Sequence, residues 1–410
     1  MEAAKTPLRL FISAGELSGD VHAARLVDAL AKRTGSVEVI ALGSNSLKAA
    51  GAKVLFDTAR GATLGVIGNL LQAPQKLRLF NTAVRNIMDA KPDAVILIDS
   101  RFFNLNLARV LRQKCYQGAI IYYVAPVMWQ AASDARYRDI AQQSEQFRAN
   151  AGRRFEEMRK HVDLALVIYP VGLELYDYFG INYEFVGHPL CETVKPTLGK
   201  DELRALAAVE GNAPLIGLMP GSRKEEVSVI GRELIGAASI IARQIPCAAF
   251  ALPVAHPSLR GQIQAMLKGA KANIKLLEPE RRFDLIAHSD LMVVASGTAT
   301  HECAAAGTPH IMAYRLHPAL DFFYANFTRF RLPAYAFPNI IAGRRIIPEL
   351  IRSECSAANI ADAAIRLLGS ESEMEQMRRD LAEVRSKICK PNSLDRSAEL
   401  VIEAISRRMG

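Results

Sequence analysis

Residues Leu215 to Val227 read LIGLMPGSRKEEV, and this stretch decides how the rest of the chain is interpreted. An apolar run passes through Pro220-Gly221-Ser222-Arg223 into a charged segment, which predicts a buried parallel strand, a tight turn and a helix N-terminus. Such a junction binds anions, because the first N–H groups of the helix are unpaired and glycine admits a ligand close to the backbone. Arg223 adds a planar cation suited to diphosphate oxygens. The alternative is an ordinary turn whose arginine pairs with a surface carboxylate.

Size and charge narrow the possible classes of protein. With 410 residues, 50% of them hydrophobic, the chain can bury large cores, and its length predicts two domains. The 51 Lys and Arg residues against 42 Asp and Glu give a net charge of +9, which favours nucleotides, nucleic acid or an acidic membrane surface as partners. We find no basic groove interleaved with aromatic residues, so a nucleic-acid partner is not expected.

Targeting signals and metal motifs are not found in the sequence. The amino terminus lacks the pattern of a signal peptide, and no window approaches ~18 uninterrupted apolar residues, so any membrane contact is expected to be peripheral. The six cysteines have no C-x-x-C spacing and no histidine at metal-ligand intervals. We therefore expect no metal site, and reduced, mostly packed thiols in a cytosolic protein.

The amino terminus carries a second strand, turn and helix. Leu8 to Ser13 is apolar and is followed by AGELSGD at Ala14 to Asp20, where Ser18 or Asp20 can cap the next helix. The spacing matches neither a dinucleotide fingerprint nor a P-loop. Glu16, beside the helix N-terminus, is a candidate site residue. Alternatively, its charge only offsets the helix dipole.

Apolar runs alternate with helical segments through both halves of the chain, as in parallel sheets covered by helices on both faces. We predict an α/β protein of two Rossmann-like, doubly wound domains facing across a cleft, with boundaries at 1–195 and 196–380. A helical segment, 381–410, follows, and packing back on the first domain is one arrangement for it. Because ligands bind at the carboxyl ends of parallel strands, Glu16, Asp99 and Pro126 are expected on one rim.

Two stretches of the first half have more than one interpretation. Thr63 to Phe80 is more apolar than a loop needs, so it either enters a membrane surface or holds an acyl chain, or it packs on the core. Residues 133–162 are rich in Arg, Gln and Glu, and we interpret them as a charged helical insertion. The insertion is either a solvated helix pair or a surface for a polyanion.

The second half contains another candidate anion site, at Val293 to Gly307 (VVASGTATHECAAAG). A strand ends at Ser296-Gly297, and a helix can begin at Thr298 with its N–H groups and hydroxyls available to a ligand. Glu302, one turn into this helix, can accept hydrogen bonds from ribose hydroxyls. The neighbouring His301 is interpreted as a structural histidine.

Taken together, motifs spread over nearly the whole chain resemble the lipid-A-disaccharide synthase family. They are AGELSGD at 14–20, Pro126 with Trp129, Gly187-His188-Pro189, Pro220-Gly221-Ser222-Arg223 with Glu226-Val227, Ala295-Ser296-Gly297-Thr298-Ala299 with Glu302, Tyr314-Arg315, and Pro338-Asn339 with Ala342-Gly343-Arg344.

The resemblance implies an inverting GT-B glycosyltransferase on the cytoplasmic face of the inner membrane, in contact with anionic lipid. Family members transfer 2,3-diacylglucosamine from its UDP derivative to 2,3-diacylglucosamine 1-phosphate, forming a β-1,6 disaccharide and releasing UDP, without a metal or other cofactor. A homodimer is one arrangement the resemblance allows. The carboxylates that match the catalytic rim are Glu16, Asp20 and Asp99. The positions assigned to the UDP-sugar are Gly15, Ser18, Gly19, Gly221, Ser222, Arg223, Ser296, Gly297, Thr298, Glu302 and Asn339.

The sequence differs from the family pattern close to Asp99, one of the expected catalytic residues. The family usually has Asp-x-Pro-Asp-Phe-Asn where this chain reads Asp99-Ser100-Arg101-Phe102-Phe103-Asn104, so Phe102 replaces a carboxylate generally taken as catalytic. A phenyl ring cannot accept a proton. Three interpretations stay open: a working synthase with Asp99 or Glu16 as base, a divergent glycosyltransferase whose acceptor pocket is reshaped by Arg101 and the insertion, and a non-catalytic UDP-sugar-binding relative.

Overall fold

A computed structural model of the protein describes residues 7–15, 17–58, 73–126, 145–315 and 334–409. They form two compact units. The first comprises the described residues up to Pro189 together with those from Lys390 onward, and the second runs from Leu190 to Cys389. Along the described residues, the chain therefore passes into the second unit at Leu190 and returns to the first at Lys390.

The first unit is built on a parallel sheet with strand order β3-β2-β1-β4-β5-β6-β7. Its strands are β1 Leu8–Ala14, β2 Val37–Gly43, β3 Lys53–Asp57, β4 Ala94–Ile98, β5 Ala119–Tyr123, β6 Leu164–Val167 and β7 Tyr183–Phe185. Every residue of β4 and β5 is buried, as expected of central strands covered on both faces.

Helices cover this sheet between successive strands. They are α1 Leu17–Thr34, α2 Asn45–Ala49, α3 Ala73–Ala90, α4 Arg101–Gln113, α5 Glu145–His161 and α6 Leu173–Tyr178. The described part of the proposed insertion is α5, which connects β5 to β6 and buries Phe155 and Met158 in the core. Two parallel neighbouring strands need such a crossover helix, so α5 belongs to the regular fold and is more than a solvated excursion.

The second unit contains a parallel sheet of order β10-β9-β8-β11-β12-β13. Its strands are β8 Leu215–Met219, β9 Ala249–Pro253, β10 Ile274–Leu277, β11 Leu291–Ala295, β12 His310–Tyr314 and β13 Glu349–Ile351. Its helices are α7 Leu190–Thr193, α8 Lys200–Leu206, α9 Lys224–Gln244, α10 Arg260–Leu267, α11 Arg282–His288, α12 Thr298–Ala306, α13 Phe337–Ala342, α14 Ala357–Leu368 and α15 Glu371–Ile388. The two doubly wound parallel sheets confirm the α/β class predicted from the alternation of apolar runs and helical segments.

The last helix, α16 Ser393–Met409, packs against α1 and β5 of the first unit. The Ser393 hydroxyl donates to the Gly187 carbonyl at 3.1 Å, and the Arg408 guanidinium lies 3.7 Å from the Asp163 carboxylate. α15, which includes the start of the predicted 381–410 segment, remains in the second unit. The return to the first unit occurs at Lys390.

The prediction that the cysteines are reduced is wrong for two of the six, and the prediction that they are mostly packed holds for Cys303 and Cys355 among the four free thiols. Cys191 and Cys389 form a disulfide across 198 residues of sequence, and Cys115 and Cys247 are exposed. The pair was missed because its partners meet only through the fold, where α7 and the end of α15 approach each other at the two crossings between units. Among the described helices, none has the length and apolarity required to cross a membrane.

Candidate functional site

The strand order of the second unit reverses between β8 and β11. The chain starts this sheet at β8, adds β9 and β10 on one side, and then places β11 on the other side. Met219 of β8 lies opposite Val294 of β11, so the turns that follow the two strands, at Gly221 and Ser296, are neighbours. In doubly wound sheets, ligands bind in the crevice at this position.

The turn after β8 requires glycine. Gly221 has a φ of 111°, and a Cβ at this position would lie 2.5 Å from Oε2 of Glu226. Arg223 precedes the first residue of α9, and its side chain does not cap the helix. The sequence prediction of a strand, a glycine turn and a helix N-terminus is therefore confirmed here.

Glu226 lies directly on the predicted anion donors. Its carboxylate accepts a hydrogen bond from the Ser222 N–H at 3.3 Å and lies 3.1 Å from the Arg223 guanidinium. The arginine thus has a carboxylate partner, which was the alternative interpretation, but that partner is only one turn away on the same helix. Both side chains are partly exposed. The contact shows that this backbone amide and this guanidinium can bind one anionic group together.

The turn after β11 is also a glycine turn. Gly297 has φ 130° and ψ −149°, a conformation essentially restricted to glycine. A Cβ on Gly297 would have no atom within 4 Å, and Gly297 and Thr298 are both exposed. The Thr300 hydroxyl donates to the Gly297 carbonyl at 2.8 Å, which fixes the first turn of α12. No side chain caps this helix, so its N-terminus is open to a ligand.

Two predicted donor residues lie deeper in the second unit. Glu302 is 2% exposed and pairs with Arg282 at 3.1 Å. Asn339 is fully buried, its amide donates to Ile347 O and Glu349 Oε1, and its oxygen accepts from Ile346 N and Ile347 N. These four bonds fill the capacity of the Asn339 amide. We infer that Asn339 positions the segment after α13, while direct contact of Glu302 with a nucleotide stays a prediction.

The first unit has the same reversal of strand order, between β1 and β4. Ala14 lies opposite Ile98, which brings Gly15 to the level of Asp99. A Cβ on Gly15 would lie 2.4 Å from the Cβ of Ser100, so only glycine fits between the two strand ends. Glu16, the other proposed base, lies outside the described residues.

Asp99 is held in an unusual backbone conformation. Asp99 and Ser100 have φ values of 49° and 41°, in the left-handed region, which costs a non-glycine residue roughly 1–2 kcal/mol. The Asn104 amide donates to the Asp99 carbonyl at 2.8 Å, and the Tyr122 hydroxyl donates to the same oxygen at 2.6 Å. Burial raises the pKa of the Asp99 carboxyl, against the opposing effects of a hydrogen bond from the Ser100 backbone and the charge of Arg101. A carboxylate with a raised pKa is suited to accept a proton.

The contacts of Asp20 and Gly19, unlike those of Asp99, hold the fold together. The Asp20 carboxylate is 1% exposed and accepts hydrogen bonds from the backbone N–H groups of Ser44 at 2.6 Å and Ser46 at 2.8 Å. These bonds fix the turn between β2 and α2. Gly19 is buried, and a Cβ there would lie 3.2 Å from Ile98, so it permits close packing of α1 on β4. Ser18, half-buried, opens the same helix.

Sequence reasoning missed the residue that organises the Asp99 turn. Asn104 is fully buried, and besides its bond to Asp99 it donates to the Ile98 carbonyl at 3.0 Å and accepts from the Ser13 hydroxyl at 2.7 Å. A signal was present, because Asn104 shares the apolar stripe of α4 with Leu107, Ala108 and Leu111. A polar side chain on such a stripe needs partners in the core.

Comparisons with known proteins place these geometries in context. The family model described as lipid-A-disaccharide synthetase matches residues 10–402. The lipid-A-disaccharide synthase of Geobacter sulfurreducens is 30% identical over 404 residues, covering 98% of this chain and 99% of the relative. That of Acidobacterium capsulatum is 32% identical over 412 residues, covering 97% of each.

Solved structures agree in fold. A UDP-GlcNAc 2-epimerase from Neisseria meningitidis bound to UDP-GlcNAc has a TM-score of 0.62 at 14% identity, covering 97% of this chain and 100% of that one. The calicheamicin glycosyltransferase CalG4 has a TM-score of 0.59 at 14% identity, covering 98% and 99%. At this identity the likeness concerns the fold alone, and it confirms the expected GT-B class. The match to the family model over residues 10–402 shows that the chain belongs to the lipid-A-disaccharide synthetase family.

Proposed function

We propose that this chain transfers 2,3-diacylglucosamine from its UDP derivative to the 6-hydroxyl of 2,3-diacylglucosamine 1-phosphate, forming the β-1,6 disaccharide and releasing UDP. Its family and its similarity to lipid-A-disaccharide synthases support a disaccharide-forming glycosyltransferase. The observation that carries the proposal is the adjacency of two glycine turns, each opening a helix, at the strand reversal of the second unit.

The donor diphosphate binds across these two turns. Ser222 N–H and Arg223 already hold the Glu226 carboxylate, and phosphate oxygens entering the turn take over both donors. The open N-terminus of α12, after Gly297, supplies the second set of N–H groups. Negative charge develops on the diphosphate as the glycosidic bond breaks, and donors fixed in advance stabilise that charge. Hydrogen bonds to a charged group contribute roughly 1.5–3 kcal/mol each.

The acceptor hydroxyl must lose its proton as it attacks the anomeric carbon. Asp99 supplies the base, because its carboxyl pKa is raised by burial and its turn is fixed by Asn104 and Tyr122. A raised pKa brings the proton affinity of the base closer to the working pH, which favours general-base catalysis. Glu16, in the separate AGELSGD motif at 14–20, is the alternative base.

The acylated substrates place the protein on an anionic membrane surface at the cytoplasmic face. Leu77 of α3 is 62% exposed and is followed by the exposed Arg78, an apolar and a basic side chain together. The net charge of +9 adds attraction to anionic lipid. Sedimentation with phosphatidylglycerol vesicles at low salt tests this step, and a protein left entirely in the supernatant contradicts it.

The direct test uses the purified protein, UDP-2,3-diacylglucosamine and 2,3-diacylglucosamine 1-phosphate. Disaccharide and UDP are expected in equal amounts. UDP release only with a different acceptor contradicts the assigned acceptor, and tight UDP-sugar binding without turnover contradicts catalysis itself. A variant with Asp99→Asn serves as the inactive reference in the same assay.

A further inference from the structure

Two arginines flank an exposed aromatic ring next to Asp99. Phe102, in the first turn of α4, is 65% exposed. The guanidinium carbon of Arg101 lies 5.2 Å from the centroid of this ring, and that of Arg154, on α5, lies 5.0 Å from it. Both distances are within the range of cation–π contacts. Two separate helices thus bring positive charge to one point on the surface of the first unit.

Within the described residues, neither guanidinium forms a salt bridge, although the Asp99 carboxylate acts on Arg101 from a longer distance. No carboxylate of the described residues lies within 4.0 Å of either guanidinium, and the buried Nε of Arg101 has no hydrogen-bond partner there. Burial lowers the pKa of the Arg101 guanidinium, the charge of Arg154 adds to this effect, and Tyr122 and Asp99 oppose it. Elsewhere in the chain, Arg344 forms a two-point pair with Asp380 at 2.8 and 2.9 Å. The unpaired cluster is therefore suited to an external anion.

We propose that Arg101 and Arg154, held on either side of Phe102, bind the 1-phosphate of the acceptor sugar. This inference rests on the proposed function. One hexose ring separates the 6-hydroxyl of the acceptor from its 1-phosphate, and Asp99 precedes Arg101 by two residues. A guanidinium fork matches phosphate oxygens in two-point contacts, and two such forks supply several charge-assisted bonds. Phe102 positions the cations without offering a carboxylate that would compete with the phosphate.

The test compares two exposed arginines that are neighbours on α5. Arg154→Gln removes one cation of the cluster, while Arg153→Gln removes an equal charge whose guanidinium does not lie over the Phe102 ring. We expect Arg154→Gln to raise the KM for the phosphorylated acceptor about tenfold or more and to leave the KM for the UDP-sugar unchanged. Arg153→Gln should change neither value by more than about twofold. Equal acceptor KM values for the two variants overturn the proposal.

A second comparison isolates the phosphate group from a general effect on folding. With an acceptor that lacks the 1-phosphate, wild type and Arg154→Gln should have the same KM, because the contact they differ in is missing. Arg101→Gln, which removes the other cation at the Phe102 ring, should likewise raise the KM only for the phosphorylated acceptor. If either variant raises the KM equally for the acceptors with and without the 1-phosphate, the two arginines do not bind the phosphate.

Binding measurements separate this inference from the proposed function. If wild type forms no disaccharide, titration with glucosamine 1-phosphate, followed by ligand-observed NMR, still tests the phosphate site. Binding that is lost in Arg154→Gln and kept in Arg153→Gln supports the site. The absence of binding to wild type overturns it. An anionic lipid headgroup presents similar chemistry. Sedimentation with phosphatidylglycerol vesicles distinguishes the two sources, because a loss of vesicle binding in Arg154→Gln without any change in acceptor KM overturns the assignment to the acceptor.

Discussion

Replacing Asn104 with alanine tests how the Asp99 turn is held. The side chain makes three hydrogen bonds in the core: to Ile98 O at 3.0 Å, to Asp99 O at 2.8 Å, and from the Ser13 hydroxyl at 2.7 Å. At about 1 kcal/mol for each bond, Asn104→Ala should lower the free energy of unfolding of the first unit by about 3 kcal/mol. The strained Asp99 and Ser100 backbone also loses a restraint, so kcat should fall at least tenfold.

Asn106 on the same helix provides the matched control. It is exposed, and its amide donates only to the Phe102 carbonyl, at 2.9 Å, while its oxygen accepts from Arg109. Asn106→Ala should therefore cost less than about 0.5 kcal/mol. Urea denaturation measures the loss, and hydrogen exchange followed by mass spectrometry assigns it to peptides of β4. UDP affinity should be the same in both variants. If the two asparagine variants lose equal stability, or if Asn104→Ala keeps full turnover, the turn does not depend on Asn104.

Three further predictions concern the donor site and the titratable groups. In calorimetry, Arg223→Ala should weaken UDP binding by about 2 kcal/mol, whereas Arg243→Ala, at the exposed far end of the same helix, should not change it. If the two variants bind UDP with equal affinity, Arg223 does not belong to the proposed donor site. Asp99→Asn should abolish turnover and keep the UDP affinity within about threefold of wild type. Because burial raises the pKa of Asp99, the loss of wild-type kcat on acidification should begin at a higher pH than for a base with the pKa of an ordinary aspartate. Burial lowers the pKa of His22 from 6.5 to about 4, so burying the neutral imidazole contributes stability above pH 6.5. That contribution should be lost as the pH falls towards 4. A His22→Gln variant whose unfolding has the same acid dependence as wild type would refute this.

Local sequence patterns predicted the elements of the fold, but not the contacts between distant segments. Gly221 and Gly297 interrupt apolar runs at strand ends, and in both cases the structure has a positive φ that favours glycine. The disulfide between Cys191 and Cys389 could not be read in this way, because cysteine spacing carries no information when 198 residues separate the partners. The same limit applies to Asn104 of α4, whose partner Ser13 lies 91 residues away on strand β1. The position of Asn104 on the apolar face of α4 is a signal that it needs partners in the core, but the sequence analysis did not use that signal, and only the fold identifies the partners.

The two units share the same backbone geometry at the reversal of strand order, but the side chains there differ in charge: Arg223 is a cation and Asp99 carries a carboxylate. In both, a reversal of strand order places a glycine turn beside a neighbouring strand end and the start of a helix, where the backbone favours anions. In the second unit, Arg223 adds to this preference, so the turn is suited to a diphosphate. In the first unit, the glycine is Gly15, and the end of the neighbouring strand carries a carboxylate, Asp99, whose pKa is raised because burial outweighs the Ser100 amide and the Arg101 charge. We therefore propose that the side chain at each strand reversal sets its chemistry: Arg223 favours binding of the leaving group, and the buried Asp99 carboxylate favours acceptance of a proton.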